Sequence, residues 1–397
     1  MPTLEHTMSA LSELDYQRPV SITANDAFQA LLAEIRERAR SEEFDRQKYI
    51  SQDIIERFKA LGVYRALVPK RFGGDERSPI EFCQMIEDIS IADGSAGWVA
   101  SFGMNPVYLA SLPLATLEKV YANGPDVVFA GGIFPPQPAT FVEGGLEVNG
   151  RWKFSSGCMG ASLIGVGIAP KNGEMLGLPR LAVMPREKVK IEETWDVVGL
   201  IGTGSHDVVI DGVVVPEDWT FVRGGPANLD EPMFRYPSLS FATQVLSVVG
   251  LGVARAALDY LSGMASGRFS VTGAPALSDR PLAQMQVAKA EAELRAARAW
   301  FYEAMESAWA SILAGDAVSV EQTNLLRLSS THATRVSAEV ARSAQMLSGM
   351  SGVYRDNPLS RFVNDTLVIT QHAFMGDMTY QNAGAIFFGN KPLPGYL

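Results

Sequence analysis

The residues with the clearest chemical character lie at residues 151–158, which read Arg-Trp-Lys-Phe-Ser-Ser-Gly-Cys. Two aromatic residues, Trp152 and Phe154, are followed by two hydroxyls, Ser155 and Ser156, and then by a glycine. A strand end of this kind suits contact with a flat, redox-active ring, because aromatic side chains shield it, a hydroxyl hydrogen-bonds to it and glycine allows close approach. Alternating aromatic residues are more often core residues, so the stretch alone does not decide between the two interpretations.

The four histidines are the other candidates for proton transfer or metal binding. None lies three or four residues from another, so the spacing predicts no metal site. His372 follows an apolar helical run, where its ring would face the bundle interior or a cavity and could transfer protons near neutral pH. A hydrogen-bonded core histidine is the alternative for His372. His206 begins a predicted strand, and we expect it to stabilise a turn.

The sequence contains no phosphate-binding loop and no clear nicotinamide site. The nearest dinucleotide-like segment is Gly250-Leu251-Gly252, but Arg255 stands at the third glycine position and the segment falls inside a predicted helix. We interpret these glycines as helix-packing residues. If the protein performs redox chemistry, its reducing equivalents come from the substrate or from outside.

Composition limits the class of protein. The 397 residues are 47% hydrophobic and 20% charged, which is typical of a soluble globular chain with a large core. The net charge of −10 is spread along the chain, so we expect neither nucleic acid nor membrane as a partner. Cys83 and Cys158 are far apart, which fits a reducing cytoplasm, and neither a signal peptide nor an 18-residue apolar run is found.

The hydrophobic periodicity divides the chain into three domains. Residues 1–125 show helical spacing, with a capping-box start at Ser78. Residues 126–232 contain strand-like segments and the hairpin signal Asn149-Gly150, where we expect a bulge or a longer loop. Residues 233–397 contain four long helices, of which the third starts at Ser319 and the fourth extends past Thr370. The predicted fold class is α+β, with an N-terminal helical domain, a central β-barrel-like domain and a C-terminal four-helix bundle.

Several motifs in this order resemble the acyl-CoA dehydrogenase fold over nearly the whole chain. The matching segments are residues 61–74, residues 94–98 (Gly-Ser-Ala-Gly-Trp), residues 150–157, residues 199–216, Arg268-Phe269, and residues 348–352 (Ser-Gly-Met-Ser-Gly) followed by Arg361. Together they are far more specific than any one of them alone.

One departure separates the chain from the dehydrogenases of that family. Those enzymes need a carboxylate base, commonly a Glu just past an Arg-Asp pair in the last long helix. Here residues 365–372 read Asp-Thr-Leu-Val-Ile-Thr-Gln-His, without that Glu, and Asn364 replaces the Arg. The chain therefore more closely resembles the flavin-dependent monooxygenases of the same fold, the two-component hydroxylases that act on indole, phenols, steroid phenols and thiophenes. Asn105 stands where several of these relatives have a histidine.

This resemblance implies an oxygenase that uses reduced flavin, FADH2 or FMNH2, made by a separate NAD(P)H:flavin reductase. The flavin would react with O2 to a C4a-hydroperoxide and oxygenate a small aromatic substrate, indole or indole-acetate-like or phenolic. The alternatives are an acyl-CoA dehydrogenase and a non-catalytic flavin-binding scaffold. The resemblance also implies a homotetramer, and it leaves the choice between FAD and FMN open.

The resemblance further assigns roles to individual residues. Ser156 would hydrogen-bond flavin N5 and slow loss of peroxide, and His372 would act on the hydroperoxide or on a substrate proton. The remaining flavin-binding candidates are Trp152 and Phe154 as ring shields, Ser155 as a polar contact, Arg268 and Phe269 at the phosphate tail, and Gly349 and Gly352 for backbone approach. The substrate-pocket candidates are Trp98, Met104, Asn105 and Trp195, for each of which core packing is the alternative.

Overall fold

The computed structural model describes residues 22–170, 179–266, 273 and 275–397. The predicted flavin-tail residues Arg268 and Phe269 lie outside these described residues. Along the chain, short helices are followed by a β-sheet and then by the long helices of a bundle.

Seven helices precede the sheet in the described part of the chain. They are α1 (Asp26–Arg40), α2 (Glu43–Gln47), α3 (Gln52–Ala60), α4 (Pro79–Ala92), α5 (Gly94–Ser101), α6 (Asn105–Leu109) and α7 (Leu114–Val120). The predicted capping box starts α4: Ser78 Oγ accepts from the backbone N–H of Glu81, whose carboxylate accepts from the N–H of Ser78. Asp93 caps α5 in the same manner by accepting from the N–H of Ala96.

The small residues of α5 allow it to pack closely against α4. Every residue of α5 is buried, and a Cβ at Gly97 would lie only 1.9 Å from Ser90 Oγ. A larger side chain at position 97 would push α5 away from α4, so this glycine sets the depth at which Trp98 on α5 lies.

The strands form one seven-stranded sheet. Their bounds are β1 (Phe129–Val142), β2 (Gly145–Trp152), β3 (Leu163–Pro170), β4 (Arg180–Pro185), β5 (Lys190–Glu192), β6 (Asp207–Val215) and β7 (Thr220–Val222). The order is β5-β6-β2-β1-β3-β4-β7, with β1 and β3 parallel and the other pairs antiparallel. β4 also approaches β6, although three strands separate them in the sheet, so the sheet is strongly curved.

The hairpin signal at Asn149-Gly150 does not mark a turn. The β1–β2 turn lies at Glu143 and Gly144, where glycine adopts a φ of 92°. A bulge lies here instead, and its extra residue is in β6: Asp211 and Gly212 stand opposite the single β2 residue Asn149, where the pairing register shifts. The Asn149 side chain accepts from the N–H of Gly212, so it stabilises the sheet across the bulge.

Among the described residues, three helices of 28, 33 and 29 residues and one of 12 form the C-terminal bundle, and a helix of 10 residues follows. They are α8 (Ser238–Ala265), α9 (Pro281–Leu313), α10 (Val320–Ser348), α11 (Leu359–Thr370) and α12 (Met378–Phe387). The capping box at Ser319 is confirmed. The prediction that the fourth helix extends past Thr370 is wrong, because His372 has extended backbone and caps a separate 3-10 turn, Ala373–Met375, by accepting from the N–H of Phe374.

The N-terminal helices and the bundle share one hydrophobic core, which extends from Phe28 to Met375. Helix α8 lies at its centre and is apolar enough over 18 residues to qualify as a membrane span by hydropathy, but 94% of that window is buried inside the protein. Gly250 and Gly252 of this helix are packing residues, as predicted: a Cβ at Gly250 would lie 3.3 Å from Ser337, and one at Gly252 would lie 2.6 Å from the carbonyl oxygen of Glu87 on α4.

Candidate active site

A cavity of about 610 Å³ lies where the sheet meets the two helical regions. Its walls come from residues 98–108, from β1, from the segment after β2, from the loop before β6, and from α8 and the chain after α11. The wall is largely apolar, and none of its residues is an Asp or a Glu. A carboxylate base of the dehydrogenase type is therefore absent from this wall.

A chain of hydrogen-bonded hydroxyls forms the polar part of the wall. Trp98 Nε1 donates to Ser156 Oγ at 3.1 Å, Ser156 Oγ lies 2.6 Å from Ser205 Oγ, and Ser205 Oγ lies 2.7 Å from Thr203 Oγ1. Thr203 Oγ1 also donates to the carbonyl oxygen of Leu200 at 2.8 Å.

The carbonyl at the end of this chain fixes the direction of every proton in it. A carbonyl oxygen can only accept a hydrogen bond, so the Thr203 hydroxyl donates its single proton to the carbonyl of Leu200. The Thr203 oxygen must then accept the proton of the Ser205 hydroxyl. Ser205 in turn must accept from Ser156. The Ser156 hydroxyl therefore donates its proton to Ser205, and toward the cavity its oxygen can only accept a hydrogen bond.

Phe154 is an aromatic residue held partly out of the protein. Its side chain is 66% exposed, and its backbone has a φ of 61°, which is unusual for a bulky residue. The ring meets Trp195 edge to face at 6.2 Å, and Trp195 Nε1 donates to the carbonyl oxygen of Leu200. An apolar ring fixed in so exposed a position on a cavity wall is suited to cover a flat partner.

His372 lines the same cavity, after the end of α11. Its ring packs near Trp98 at 5.9 Å and Phe374 at 4.9 Å. Burial, with a smaller contribution from the positive charge of Arg223, lowers the pKa of His372 to about 4. Its Nδ1 accepts from the N–H of Phe374, so the neutral ring carries its proton on Nε2.

Two residues predicted to contact the flavin do not line the cavity. Trp152 is completely buried in the core of the sheet, and its Nε1 donates to the carbonyl oxygen of Gly167. Ser155 is also completely buried, on the side facing Gly132. Neither the predicted ring shield, Trp152, nor the predicted polar contact, Ser155, reaches this cavity, because β2 ends at Trp152 and the backbone turns at Phe154.

Gly349 and Gly352 are remote from the cavity within one chain. They precede α11, and the carbonyl of Gly352 accepts from Ser360 in its first turn, whereas His372 follows its last turn. The 12 residues of α11 separate the two ends by roughly 18 Å. Asn364 is also absent from the cavity wall; its backbone packs against Gly199.

The four substrate-pocket candidates, Trp98, Met104, Asn105 and Trp195, all line the cavity. Both hydrogen bonds of the Asn105 amide nitrogen go to backbone carbonyls, those of Phe102 and Val127. Its amide oxygen has no partner among the described residues. Asn105 is therefore oriented by the protein and can accept one further hydrogen bond.

Sequence reasoning missed several residues of the wall, namely Tyr108, Thr203, Ser205, Arg223, Gln371 and Phe374. Thr203 and Ser205 stood in a segment that matched the family but had no assigned role. Arg223 directly follows β7, where an arginine is ordinarily solvated, so the sequence carried no signal for it.

The residues at the cavity fit a flavin ring. Phe154 offers an exposed aromatic face, and Ser156 offers an acceptor suited to the N5–H that a flavin carries when reduced. The described residues contain no cluster of His, Cys, Asp and Glu that could hold a metal ion.

Comparison with known proteins identifies the family. The Acyl-CoA dehydrogenase N-terminal and C-terminal domain families match residues 24–113 and 244–377. Indole-3-acetate monooxygenase of Pseudomonas putida is 72% identical over 95% of this chain and 97% of its own length. A flavin-dependent monooxygenase oxygenase subunit of Rhodococcus jostii is 29% identical over 87% of this chain and 92% of its own.

A solved structure agrees with these sequence matches. The crystal structure of 3-HSA hydroxylase from Rhodococcus sp. RHA1 superposes with a TM-score of 0.87 at 28% identity, covering 95% of this chain and all of that one. In the present protein, the cavity wall formed by the described residues lacks a carboxylate base, and Ser156 offers a hydrogen-bond acceptor. Both features, together with the shared fold, are expected of an oxygenase that uses reduced flavin. The chain therefore belongs to the flavin-dependent monooxygenases with the acyl-CoA dehydrogenase fold.

Proposed function

We propose that this monooxygenase oxygenates an indole-type aromatic acid, with indole-3-acetate as the first candidate. The observation that carries the proposal is the largely apolar cavity of about 610 Å³, a size suited to a small aromatic molecule beside the flavin ring. The 72% identity to the Pseudomonas putida protein over nearly all of both chains supports this choice of substrate.

In this proposal the flavin ring is held between Phe154 and the hydroxyl wall. Phe154 covers the ring, and Ser156 Oγ accepts a hydrogen bond from it. Because the proton of Ser156 is committed to Ser205, this contact favours reduced flavin over oxidised flavin. When bound and reduced, the flavin supplies the electrons that activate O2. Arg268, Phe269, Gly349 and Gly352 are proposed to hold the phosphate tail of a flavin bound mainly by a neighbouring subunit of a homotetramer.

His372 is proposed to hold the proton used at the reacting centre. With a pKa near 4 the ring is neutral at physiological pH, and it presents Nε2–H as a donor. It therefore acts as a neutral hydrogen-bond donor, and not as an imidazolium titrating near neutrality. Trp98, Met104, Asn105 and Trp195 complete the substrate walls and exclude water from the cavity.

A separate NAD(P)H:flavin reductase is proposed to supply the reduced flavin in the cytoplasm. The relative in Rhodococcus jostii is named as an oxygenase subunit, which supports a two-component system. Both cysteines are free and buried, which suits a reducing compartment.

The test is a reconstituted reaction with a flavin reductase, NADH, indole-3-acetate and either FAD or FMN. We expect a product that contains one oxygen atom from ¹⁸O2, formed only when flavin and reductase are both present. A reaction without the reductase and one with oxidised flavin alone are the controls.

Two results would count against the proposal. One is bleaching of the bound flavin by an acyl-CoA without oxygen, which would identify a dehydrogenase. The other is flavin binding without oxygen-dependent product from any aromatic substrate, which would identify a non-catalytic scaffold.

A further inference from the structure

Arg223 is a buried cation in the wall of the cavity. It directly follows β7, and only 5% of its surface is exposed. Its guanidinium packs over the rings of Tyr108 at 5.5 Å and Phe374 at 5.2 Å, and one of its terminal nitrogens donates to the hydroxyl of Tyr108. These contacts hold the planar group in one orientation.

Arg223 lacks the anionic partner that a buried guanidinium ordinarily has. It forms no ion pair with an Asp or a Glu in the described part of the chain, and its Nε has no hydrogen-bond partner there. A second cation lies nearby: Arg327 packs against the same Phe374 ring at 5.5 Å and donates to the carbonyl of Tyr396. Neither arginine pairs with a carboxylate among the described residues, so two desolvated cations create a strong local preference for an anion.

We propose that Arg223 binds the carboxylate of the substrate and thereby selects aromatic acids over neutral aromatic compounds. The proposal rests on the proposed function, since it names the group of the substrate that the enzyme recognises. The guanidinium offers a fork of N–H donors that matches a carboxylate. The largely apolar remainder of the cavity accepts the aromatic ring, so the cavity as a whole suits a flat molecule with one acidic end.

Two alternatives fit the contacts less well: Lys153 as the cation that binds the substrate carboxylate, and the flavin phosphate as the anion that Arg223 binds. Lys153 also lines the wall, but its side chain is exposed, so water already solvates its charge. The flavin phosphate is the second anion that Arg223 could bind. However, Arg223 and His372 pack against the same Phe374 ring, at 5.2 Å and 4.9 Å, which locates the charge near the proposed reacting end of the cavity.

The experiment compares Arg223→Gln with the wild-type enzyme on two ligands, indole-3-acetate and 3-methylindole, which share the ring and differ in the carboxylate. We expect the variant to lose roughly 100-fold in kcat/KM and in binding affinity for indole-3-acetate, because a hydrogen-bonded charge pair is removed. Turnover of 3-methylindole should change less than about threefold. Arg235→Gln, at an exposed arginine away from the cavity, is the matched control.

Equal losses for both ligands would overturn the proposal, as would a weaker Kd for flavin in Arg223→Gln, which would assign the residue to the phosphate. If Arg223→Gln does not fold, Arg223→Lys decides with the same two ligands, and we expect a selective loss of about tenfold because the charge remains and the fork is lost. A wild-type enzyme that oxidises no indole compound would instead overturn the proposed function, so the two failures are distinguishable.

Discussion

Asp365 and His372 lie seven residues apart near the end of the last bundle helix, and burial shifts both toward their neutral forms. Burial, with repulsion from Asp93, raises the pKa of Asp365 to about 7. Burial, with repulsion from Arg223, lowers the pKa of His372 to about 4. The two shifts are similar in size, but the surroundings of the two residues differ.

Asp365 is enclosed by protein on every side. It is 2% exposed, and its Oδ1 accepts from the N–H of Leu200 at 2.6 Å. The carbonyl of Leu200 accepts from both Trp195 and Thr203, so Asp365 holds the loop that supports the hydroxyl wall. It does not line the cavity.

His372 has a cavity on one side and its own backbone on the other. Its Nδ1 is occupied by the N–H of Phe374, and it lines the cavity. The comparison teaches that a large pKa shift reports burial, whereas access to a cavity separates a reacting group from a supporting one.

The largest expected effect is on the rate of product formation, and it tests the proposed role of His372. His372→Ala should lower the rate of product formation by about 10²- to 10⁴-fold, because the only neutral imidazole at the cavity among the described residues is removed. Its unfolding free energy should fall by about 0.5–3 kcal/mol, which leaves the enzyme folded. Product formation and O2 consumption are measured together, and His332→Ala, whose ring contacts Trp300 away from the cavity, is the control. Normal product formation would remove His372 from the mechanism.

The second prediction concerns the pH dependence of stability at Asp365, the residue that supports the loop of the hydroxyl wall. With a folded pKa near 7 and an ordinary value of 3.8, Asp365 stays protonated in the folded protein while it ionises in the unfolded chain. Its contribution to stability is therefore lost as the pH rises from about 4 to 7. Asp365→Asn keeps an acceptor for Leu200 and cannot ionise, so its stability relative to wild type should rise by roughly 3 kcal/mol between pH 5 and pH 8.

Urea unfolding of both proteins at pH 5, 6, 7 and 8 measures this difference. A difference that is constant with pH would contradict the raised pKa of Asp365. Turnover of Asp365→Asn at pH 7 should stay within a few-fold of wild type, since the residue supports the loop and does not contact the cavity.

A smaller effect is expected at the hydroxyl wall. Ser205→Ala removes the acceptor for the Ser156 proton, which is then free to donate to the bare N5 of oxidised flavin. The preference for reduced over oxidised flavin should fall about tenfold, the value of one neutral hydrogen bond. The two dissociation constants are measured by anaerobic and aerobic titration. Ser329→Ala, at a buried hydroxyl that donates to the carbonyl of Leu326, should leave the ratio unchanged.

The smallest expected effect is in the pH dependence of kcat/KM. An imidazole with an ordinary pKa of 6.5 would lose its neutral form, and about tenfold in kcat/KM, on lowering the pH from 7.5 to 5.5. Because the pKa of His372 is about 4, we expect the change assigned to it to be less than twofold, visible as the difference between wild type and His372→Gln. An inflection near pH 6.5 that the variant lacks would contradict this. The stability contributed by neutral His372 is lost only as the pH falls from 6.5 toward 4, opposite in direction to Asp365.

Local signals in the sequence predicted much of the fold. The signals at Ser78 and Ser319 predicted two helix starts, and both residues form capping boxes in the structure. These features depend on contacts between residues close in the chain, which a pattern can express. The family motifs likewise indicated a flavin-dependent oxygenase, because the missing Glu between Asp365 and His372 is visible in the sequence itself.

Only the tertiary structure decided which side chains meet at the cavity. Trp152 and Phe154 are two residues apart and would share a face of a regular strand, but the left-handed backbone at Phe154 leaves Trp152 in the core and turns Phe154 outward. The proton direction at Ser156 depends on a carbonyl 44 residues away, at Leu200, and the orientation of Arg223 depends on Tyr108 and Phe374. Such contacts join segments far apart in the chain, and no local pattern encodes which distant groups will be left with a free lone pair or an unpaired charge.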